Sequence, residues 1–332
     1  MAVHNGEPFL EQAINSILGQ TFRNFELLIV EDASTDNSAR IVTSFDDPRI
    51  RILINSRNLG LTPSLNRGIA EARAPLLARH DADDISEPTR LQRQITRFDA
   101  DPQLALLSSS YVRIDESGAK TALRQIPTSC TAIRWRLLFL NVFTHSSVTM
   151  RTEVVLRAGL YDERYRFAQD YDLWSRIARM ARVEALVEPL VRYRRTPQSM
   201  SATFPGAAAE VDAISRRNIE LVAAGHIDAE RIRDDDVRAA RSLLFGTTSG
   251  MTPARGDSAG AAALILHRAF CDFYGIEGRE ASYHRARVAW SAGTRLMRPS
   301  LLSGDMRGAA TAFRLLAQAP LAVLAKPTGS SR

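Results

Sequence analysis

Cysteine is almost absent from this chain of 332 residues: Cys130 and Cys271 stand alone, with no CxxC and no even framework. That excludes a disulfide-built scaffold and a cysteine–zinc module, and it predicts a reducing, cytoplasmic compartment. No apolar run reaches the ~18–20 residues of a membrane-spanning helix, and no secretory signal opens the sequence. Lysine is nearly missing too. Only Lys120 and Lys326 occur among 43 basic residues, and a GC-rich genome explains an arginine bias without a functional cause. With 45% hydrophobic and 24% charged residues the composition is globular, which excludes a mostly disordered protein. A mass of 36.7 kDa suffices for two domains, or one large domain with an appendage.

Charge is also missing where it might be expected. The formal net charge is +6, yet residues 1 to 250 carry 32 basic and 32 acidic side chains. Met251 to Arg332 holds eleven basic and five acidic residues, so the whole excess sits in the last quarter.

The first 110 residues alternate short apolar runs with helical patterns. Phe25–Val30, Ile50–Ile54 and Pro75–Ala78 read as buried strands, and Leu104–Ile114 as a further one. Between them, Phe9, Ala13, Ile14, Ile17 and Leu18 form one helical face after Glu7-Pro8. Thr62-Pro63 and Glu87-Pro88 place cap and first-turn proline before two more. Strands alternating with helices predict a parallel sheet covered on both faces. What should begin such a sheet is lacking: Met1-Ala2-Val3 runs straight into His4-Asn5-Gly6, too short for a complete strand. The expectation is an internal methionine at Met1 and a natural start roughly one short strand upstream, ~5 residues or more. From about Gly206 strand signals vanish. Helical segments are expected at Glu210–Ala224, Asp234–Phe245, Ala261–Tyr274, Glu280–Met297 and Gly304–Ala319, the last two as a hairpin joined at Arg298-Pro299-Ser300, with a loop at Thr247–Gly250.

Open α/β sheets bind ligands at the carboxyl ends of their strands. Here those ends read His4-Asn5-Gly6, then Glu31-Asp32-Ala33-Ser34-Thr35-Asp36, then Asn55, Arg57, Asn58 and Gly60, then His80-Asp81-Ala82-Asp83-Asp84. One acidic end is ordinary turn chemistry; four together favour a site. Asp81 and Asp83, one residue apart, can hold a hard divalent cation that bridges phosphates, with helix capping by Asp84 or Ser86 as the alternative account.

The series NGEPFLEQAINSILGQTFRNFELLIVEDASTD, NLGLTPSLNRGI, HDADD and QDYDLW, in that order over about residues 1 to 200, resembles an inverting family 2 glycosyltransferase of GT-A fold. The resemblance implies a Rossmann-like doubly wound α/β sheet with a truncated first strand, a catalytic domain over 1–205 and a helical C-terminal appendage over 206–332. It implies a UDP- or dTDP-sugar donor, whose base imide N–H the Asp32 carboxylate would accept. Asn5, Glu31, Asn58 and Gly60 would line the nucleotide side, with Glu31 and Ala33 departing from the family's frequent Asp and Gly. Arg67 is either a diphosphate partner or an exposed helical arginine. Asp81 would contact the ribose or sugar, and Asp83, with Asp81, would hold Mn²⁺ or Mg²⁺. Asp170 matches the catalytic base, Gln169 stands where Glu is frequent, and Asp172 reads as a helix cap. A histidine frequent near Thr196 is absent, so Arg194 or Arg195 is the candidate for the diphosphate and strict metal dependence is in doubt. His145 falls on the stretch that lines the acceptor pocket, with a structural role as the alternative. Trp174 reads as core, and Trp135 as an acceptor lip or helix packing.

In the basic tail Arg285, Arg287, Arg295, Arg298, Arg307 and Arg314 flank Val288, Trp290, Leu296, Phe313 and Leu316. Such a face could touch anionic lipid at the inner face of the cell membrane, or be a solvated bundle surface. Nucleic acid is not expected, since aromatics do not interleave with the charges. The expected acceptor is a hydroxyl of a surface polysaccharide or lipid-linked glycan. A sugar nucleotidyltransferase would need a Gly-rich, basic phosphate loop after the first strand, which His4–Pro8 is not. A decayed, non-catalytic glycan-binding scaffold would not need Asp32, Asp81, Asp83 and Asp170 together.

Overall fold

The structure, a computed structural model, describes residues 1–196, 206–224, 234–245, 256–303 and 312. Two compact units emerge: Met1–Leu137 with Asn141–Val211, and Leu138–Leu140 with the helices from Asp212 onward.

The first unit opens with three parallel strands, β1 (Ala2–Val3), β2 (Leu27–Glu31) and β3 (Ile50–Ile54), side by side in that order. Helix α1 (Glu7–Leu18) has Pro8 in its first turn, where the missing N–H costs nothing. Its buried Leu10, Ile14 and Ile17 join Val3, Leu27, Ile29 and Val42 of α2 (Ser38–Thr43) in one apolar core. Helix α3 (Leu61–Glu71) follows β3. Each of these three strands thus ends in a loop that leads directly into a helix N-terminus. That places the polar residues of positions 4–6, 31–36 and 55–60 along one sheet edge.

The second sheet runs β4 (Leu76–Ala78), β8 (Thr149–Arg151), β6 (Leu104–Ile114), β9 (Arg182–Arg194), β5 (Ile85–Ser86), with β7 (Lys120–Arg124) paired to the far half of β6. Here the expected parallel sheet is corrected. Only β6 and β9 are parallel; the other pairs are antiparallel. The reason is connection length. Helix α7 (Gln169–Met180) feeds β9 and supplies the long crossover that a parallel neighbour needs, whereas β7 returns from β6 through a short turn. Helices α4 (Arg90–Ala100), α5 (Cys130–Leu137) and α6 (Thr152–Ala158) pack on this sheet. β1 is as short as the sequence indicates, and it does not pair with β4. A cavity of about 790 Å³ lies beside it, walled by Leu28 and Val30 of β2, Leu65 and Ile69 of α3, Leu77 of β4 and Met150 of β8.

In the second unit α8 (Gly206–Ala223), which begins in the first unit, is followed by α9 (Asp234–Phe245), α10 (Gly256–Tyr274) and α11 (Gly278–Ser303). Asp212 receives Arg238 and Arg241, each at 2.7 Å. The hairpin joint expected at Arg298-Pro299-Ser300 is not there: α11 runs through it to Ser303. The loop expected at Thr247–Gly250, and Gly304–Ala319 apart from Ala312, lie outside the described residues. No described helix is long and apolar enough to cross a membrane.

The start of α3 differs from expectation in a consequential way. Its N-cap is Gly60, not Thr62, and Gly60 sits at φ 94°, ψ 168°. Only glycine occupies that region without strain. A Cβ there would meet nothing within 4 Å, so the penalty of a side chain is backbone strain alone. Gly60→Ala is therefore expected to lower stability by about 1–3 kcal/mol. Urea unfolding checks this as a lower midpoint with an unchanged slope.

Candidate functional site

The site begins where β2 ends. Asp32 is buried, 2% exposed, and its carboxylate gathers the loop after β3. Oδ1 accepts from Asn55 Nδ2 at 2.6 Å and from the Leu59 N–H at 2.8 Å; Oδ2 accepts from the Gly60 N–H at 2.9 Å. A carboxylate offers about four acceptor positions, so one remains open on Oδ2. His4 ties the same loops: Asn58 Nδ2 donates to Nε2 at 2.9 Å, which leaves Nδ1–H to donate to the Asp32 carbonyl at 2.9 Å. Asn58 Oδ1 also accepts from the Gly60 N–H.

Two residues expected on the nucleotide side hold turns instead of standing free. Asn5 Oδ1 accepts from the Thr35 N–H at 2.8 Å, and Glu31 Oε1 accepts from the Ser34 N–H at 2.7 Å. Between them Ala33 is held at φ 52°, a left-handed conformation that costs a side-chain-bearing residue about 1–2 kcal/mol. Arg67 is not simply an exposed helical arginine: its Nη1 donates to the Ile54 carbonyl at 2.9 Å and to Asn55 Oδ1.

The second half of the site is a knot of opposed charges after β4. Arg79, a residue the sequence reading passed over, is buried and donates to Asp81 Oδ1, to the His80 carbonyl and, at 3.1 Å, to His145 Nε2. Ser146 Oγ donates to Asp81 Oδ2 at 3.0 Å. Burial works against ionisation of Asp81, but Arg79 foremost, then His145 and Ser146, holds its carboxyl well below the usual range. Burial and then the charge of Asp81 push Asp83 the other way, up to about 6. Burial, with Asp83 and Asp81, pushes Asp84 well above the ordinary value. Asp84 Oδ1 accepts the Arg194 backbone N–H at 2.8 Å, while its Oδ2 is buried without a partner among the described residues.

These carboxyls are the candidate cation site. Among the described residues no three carboxylate, histidine or cysteine side chains converge on one point. A divalent ion would therefore take one or two protein oxygens and complete its shell with phosphate and water, the habit of Mg²⁺ in phosphate sites. Asp83 suits that role. Its ionised form is disfavoured by burial and by Asp81, which is what an adjacent cation would relieve. On that observation the donor set fits a hard divalent ion.

Arg194 requires a correction. Its guanidinium is 2% exposed and donates to the carbonyls of Asp83, Asp115 and Glu116, each at 2.9 Å, and to Gln12 Oε1 at 2.7 Å. Four of its five N–H groups are spent on the fold, and the group lies 4.2 Å from the Phe9 ring centroid. It braces the acidic loop and is not available to grip a diphosphate. Arg195, next along, is exposed.

The side expected to face the acceptor is built on α7. Asp170 lies in its first turn, with Oδ2 accepting from Asn141 Nδ2 at 2.7 Å and Oδ1 from the Tyr171 N–H at 2.7 Å. Burial pushes its carboxyl up to about 6, against the hydrogen bonds from Tyr171 and Asn141; Asp81 adds to the rise and Arg79 opposes it. The donor-side pair and Asp170 thus share one electrostatic neighbourhood. Gln169 is buried with Oε1 unpartnered among the described residues. Asp172, expected as a cap, pairs with Arg176 at 2.6 Å instead.

His145 lies between the two halves, 3.9 Å by Nδ1 from Asp81 Oδ2. Because Arg79 donates to Nε2, the ring proton sits on Nδ1. Tyr161 Oη is 2.8 Å from the same Nε2. Burial, then Arg79, pushes the imidazole down to about 3, so it is neutral at physiological pH. The rings of His145, Tyr161 and Trp174 form an edge-to-face trio with centroids 5.6–6.1 Å apart. Trp174 is core, as expected, and Trp135 is buried in helix packing. Besides Arg79, the sequence reading missed Tyr161 and Asn141. A lone polar residue inside the apolar run Leu137–Phe143 was the available signal for Asn141.

Comparison with known proteins adds to this geometry. The family model described as "Glycosyl transferase family 2" matches residues 1–156. An uncharacterized glycosyltransferase of Methanocaldococcus jannaschii, MJ1057, is 33% identical over 202 residues, covering 58% of this chain and 69% of that protein. The amylovoran biosynthesis glycosyltransferase AmsE of Erwinia amylovora is 32% identical over 170 residues, 51% of this chain. The match spans 63% of AmsE, just under two thirds of its length. The crystal structure of S. aureus TarS 1-349 in complex with UDP-GlcNAc aligns with 96% of this chain and 90% of its own, at a TM-score of 0.58 and 16% identity, a likeness of fold. With the strand-end loops, the paired aspartates and the α7 carboxylate in that fold, and a third of its aligned residues shared across more than two thirds of the archaeal relative, this chain belongs to glycosyltransferase family 2.

Proposed function

We propose that the chain is an inverting glycosyltransferase that moves a sugar from a UDP- or dTDP-sugar to a hydroxyl of a surface polysaccharide or lipid-linked glycan. The observation that carries this reading is Asp170: a half-buried carboxyl at the start of α7, held by Asn141 and the Tyr171 N–H, raised to about 6, within electrostatic reach of Asp81 and Arg79. A base of that strength is poised to take a proton near neutral pH. The relative named for amylovoran biosynthesis supports a polysaccharide acceptor, and the fold neighbour solved with UDP-GlcNAc supports a nucleotide-sugar donor.

The residues divide the work as follows. The open acceptor position on Asp32 takes one imide N–H, which suits uracil or thymine. Asn58 and Gly60 hold the loop against the nucleotide, and Arg67 and exposed Arg195 are placed to meet diphosphate charge. Asp81, kept ionised by Arg79, faces the ribose or sugar. Mn²⁺ or Mg²⁺ held by Asp83 with Asp81 would neutralise the leaving diphosphate. Asp170 accepts the acceptor hydroxyl's proton as its oxygen bonds to the anomeric carbon, while the bond from that carbon to the diphosphate breaks on the opposite face. Gln169 and neutral His145 border the acceptor. We assign catalysis to residues 1–205 and an accessory role to the helices of 206–332. Exposed Arg285 and Arg287 of α11 are where we place a peripheral contact with anionic lipid on the cytoplasmic face. Arg307 and Arg314, and the side chains of Arg295 and Arg298, lie outside the described residues.

A donor screen measuring released UDP or dTDP with Mn²⁺ or Mg²⁺ tests the reading; release from neither nucleotide class sinks it, and Asp83→Asn should raise the metal concentration needed for half-maximal rate. Asp170→Asn should lower kcat by about 10²–10⁴-fold with little change in UDP affinity. Because the base must be deprotonated, wild-type kcat should fall about tenfold per pH unit below about 6 and level off above it. For the lipid contact, Arg285→Ala/Arg287→Ala should sediment less with phosphatidylserine vesicles; unchanged sedimentation removes that assignment.

A further inference from the structure

Helix α7 carries the proposed base, yet its own sequence does not cap it. Its N-cap is Ala168, whose methyl group cannot accept from the free N–H groups of the helix's first turn. The residues leading into it are held from 42 to 44 positions onward, by Glu210 near the start of α8. Glu210 Oε1 accepts from the Arg166 N–H, and its Oε2 from the N–H groups of Phe167 and Ala168, all three at 2.9 Å. These are the three residues that precede Gln169 and Asp170. The opposite end of the same segment is fixed from the donor side. Asn66 of α3 donates Nδ2 to the Tyr161 carbonyl at 2.9 Å and accepts the Tyr161 N–H on Oδ1 at 3.0 Å. The stretch from Tyr161 to Ala168 is thus clamped at both ends by side chains from other helices.

We infer that Glu210 is a positioning residue for the base: its carboxylate fixes the backbone of residues 166–168, and through it the place of Asp170 in the acceptor site. Only an ionised carboxylate fits. Three N–H donors converge on its two oxygens, whereas a glutamine side chain offers one acceptor oxygen and would present its own N–H groups to the others. The negative charge also lies at the positive end of α7, where it stabilises the helix start. Glu210 makes no contact with donor or acceptor in this account, so it acts through Asp170. The proposed base therefore depends on a residue near the start of the helix that otherwise opens the accessory region. The kinetic part of this inference rests on the function proposed above.

The test compares wild type with Glu210→Gln in three measurements. Hydrogen exchange at the amides of 166–168 should quicken in the variant while exchange in β2 and β6 stays as in wild type. UDP affinity in the presence of Mn²⁺, by calorimetry, should change less than twofold. With the nucleotide-sugar turned over in the donor screen, kcat should fall about tenfold or more, as a small misplacement of a reacting group does, with donor KM unchanged and partial recovery in Glu210→Asp. Unaltered exchange at 166–168, or a kcat equal to wild type, overturns the inference; so does a loss of UDP affinity in step with kcat, which marks general loosening. Exchange is read without turnover, so it decides the clamp even where the donor assignment fails.

Discussion

Crowding several carboxyls near one another is the constraint from which the rest of this site follows. Asp84 is buried and Asp81, Asp83 and Asp170 are half-buried in the same electrostatic neighbourhood, where like charges cannot all ionise at ordinary pH. The fold meets the problem with guanidiniums that never give up their charge. Arg79 faces Asp81 and holds it ionised. Arg194 lies behind the loop, spending its N–H groups on the backbone carbonyls of Asp83, Asp115 and Glu116 while its charge offsets Asp83 and Asp84. The result is graded rather than uniform. One carboxyl is firmly ionised, two are poised near 6, and one is pushed well above its ordinary value. Carboxyls with different proton affinities, as the proposed donor site and base require, thus arise from the same residue type, set apart by what each one faces.

That gradation explains which parts of the molecule were legible in the sequence. The strand ends were legible because apolar runs such as Ile50–Ile54 stop abruptly at polar residues, and an α/β sheet puts those stops on one edge. Asp32, Asp81, Asp83 and Asp170 stood out for the same reason, each opening a loop or a helix next to a buried run. What escaped notice were residues whose partners are distant in sequence. Arg79 looks like the tail of a strand, and only the approach of His145 and Tyr161 makes it a hub. Arg194 looked free because no pattern along the chain announces that four carbonyl or amide oxygens from two loops and a helix will surround it. The parallel sheet failed past Ile114, where a short turn replaces a crossover and the strand direction reverses. Periodicity reports which face is buried; it does not report which strand lies alongside.

The two halves of the site are made by different physical means, and that difference bears on how the protein could change its substrate without losing its fold. On the donor side the loops are locked to each other through side chain to backbone hydrogen bonds: Asp32 to Leu59 and Gly60, Asn5 to Thr35, Glu31 to Ser34. Each lock fixes a left-handed or near-extended backbone that few residues adopt, as at Gly60 and Ala33. Substitution there would alter the loop path, so these loops have little room to change residue without moving. On the α7 side the segment from Tyr161 to Ala168 is anchored at its ends by Asn66 and Glu210, with one long bond between them from Thr62 Oγ1 to the Tyr165 carbonyl at 3.4 Å. Arg164 between those anchors pairs with Asp162, two residues away. New residues can enter that stretch without breaking either anchor or moving Asp170. On the function proposed above, a fixed nucleotide grip beside a base whose approach can be relined is the arrangement expected of one scaffold that serves many acceptors, since chemistry at the anomeric carbon would stay constant while the hydroxyl brought to it varies.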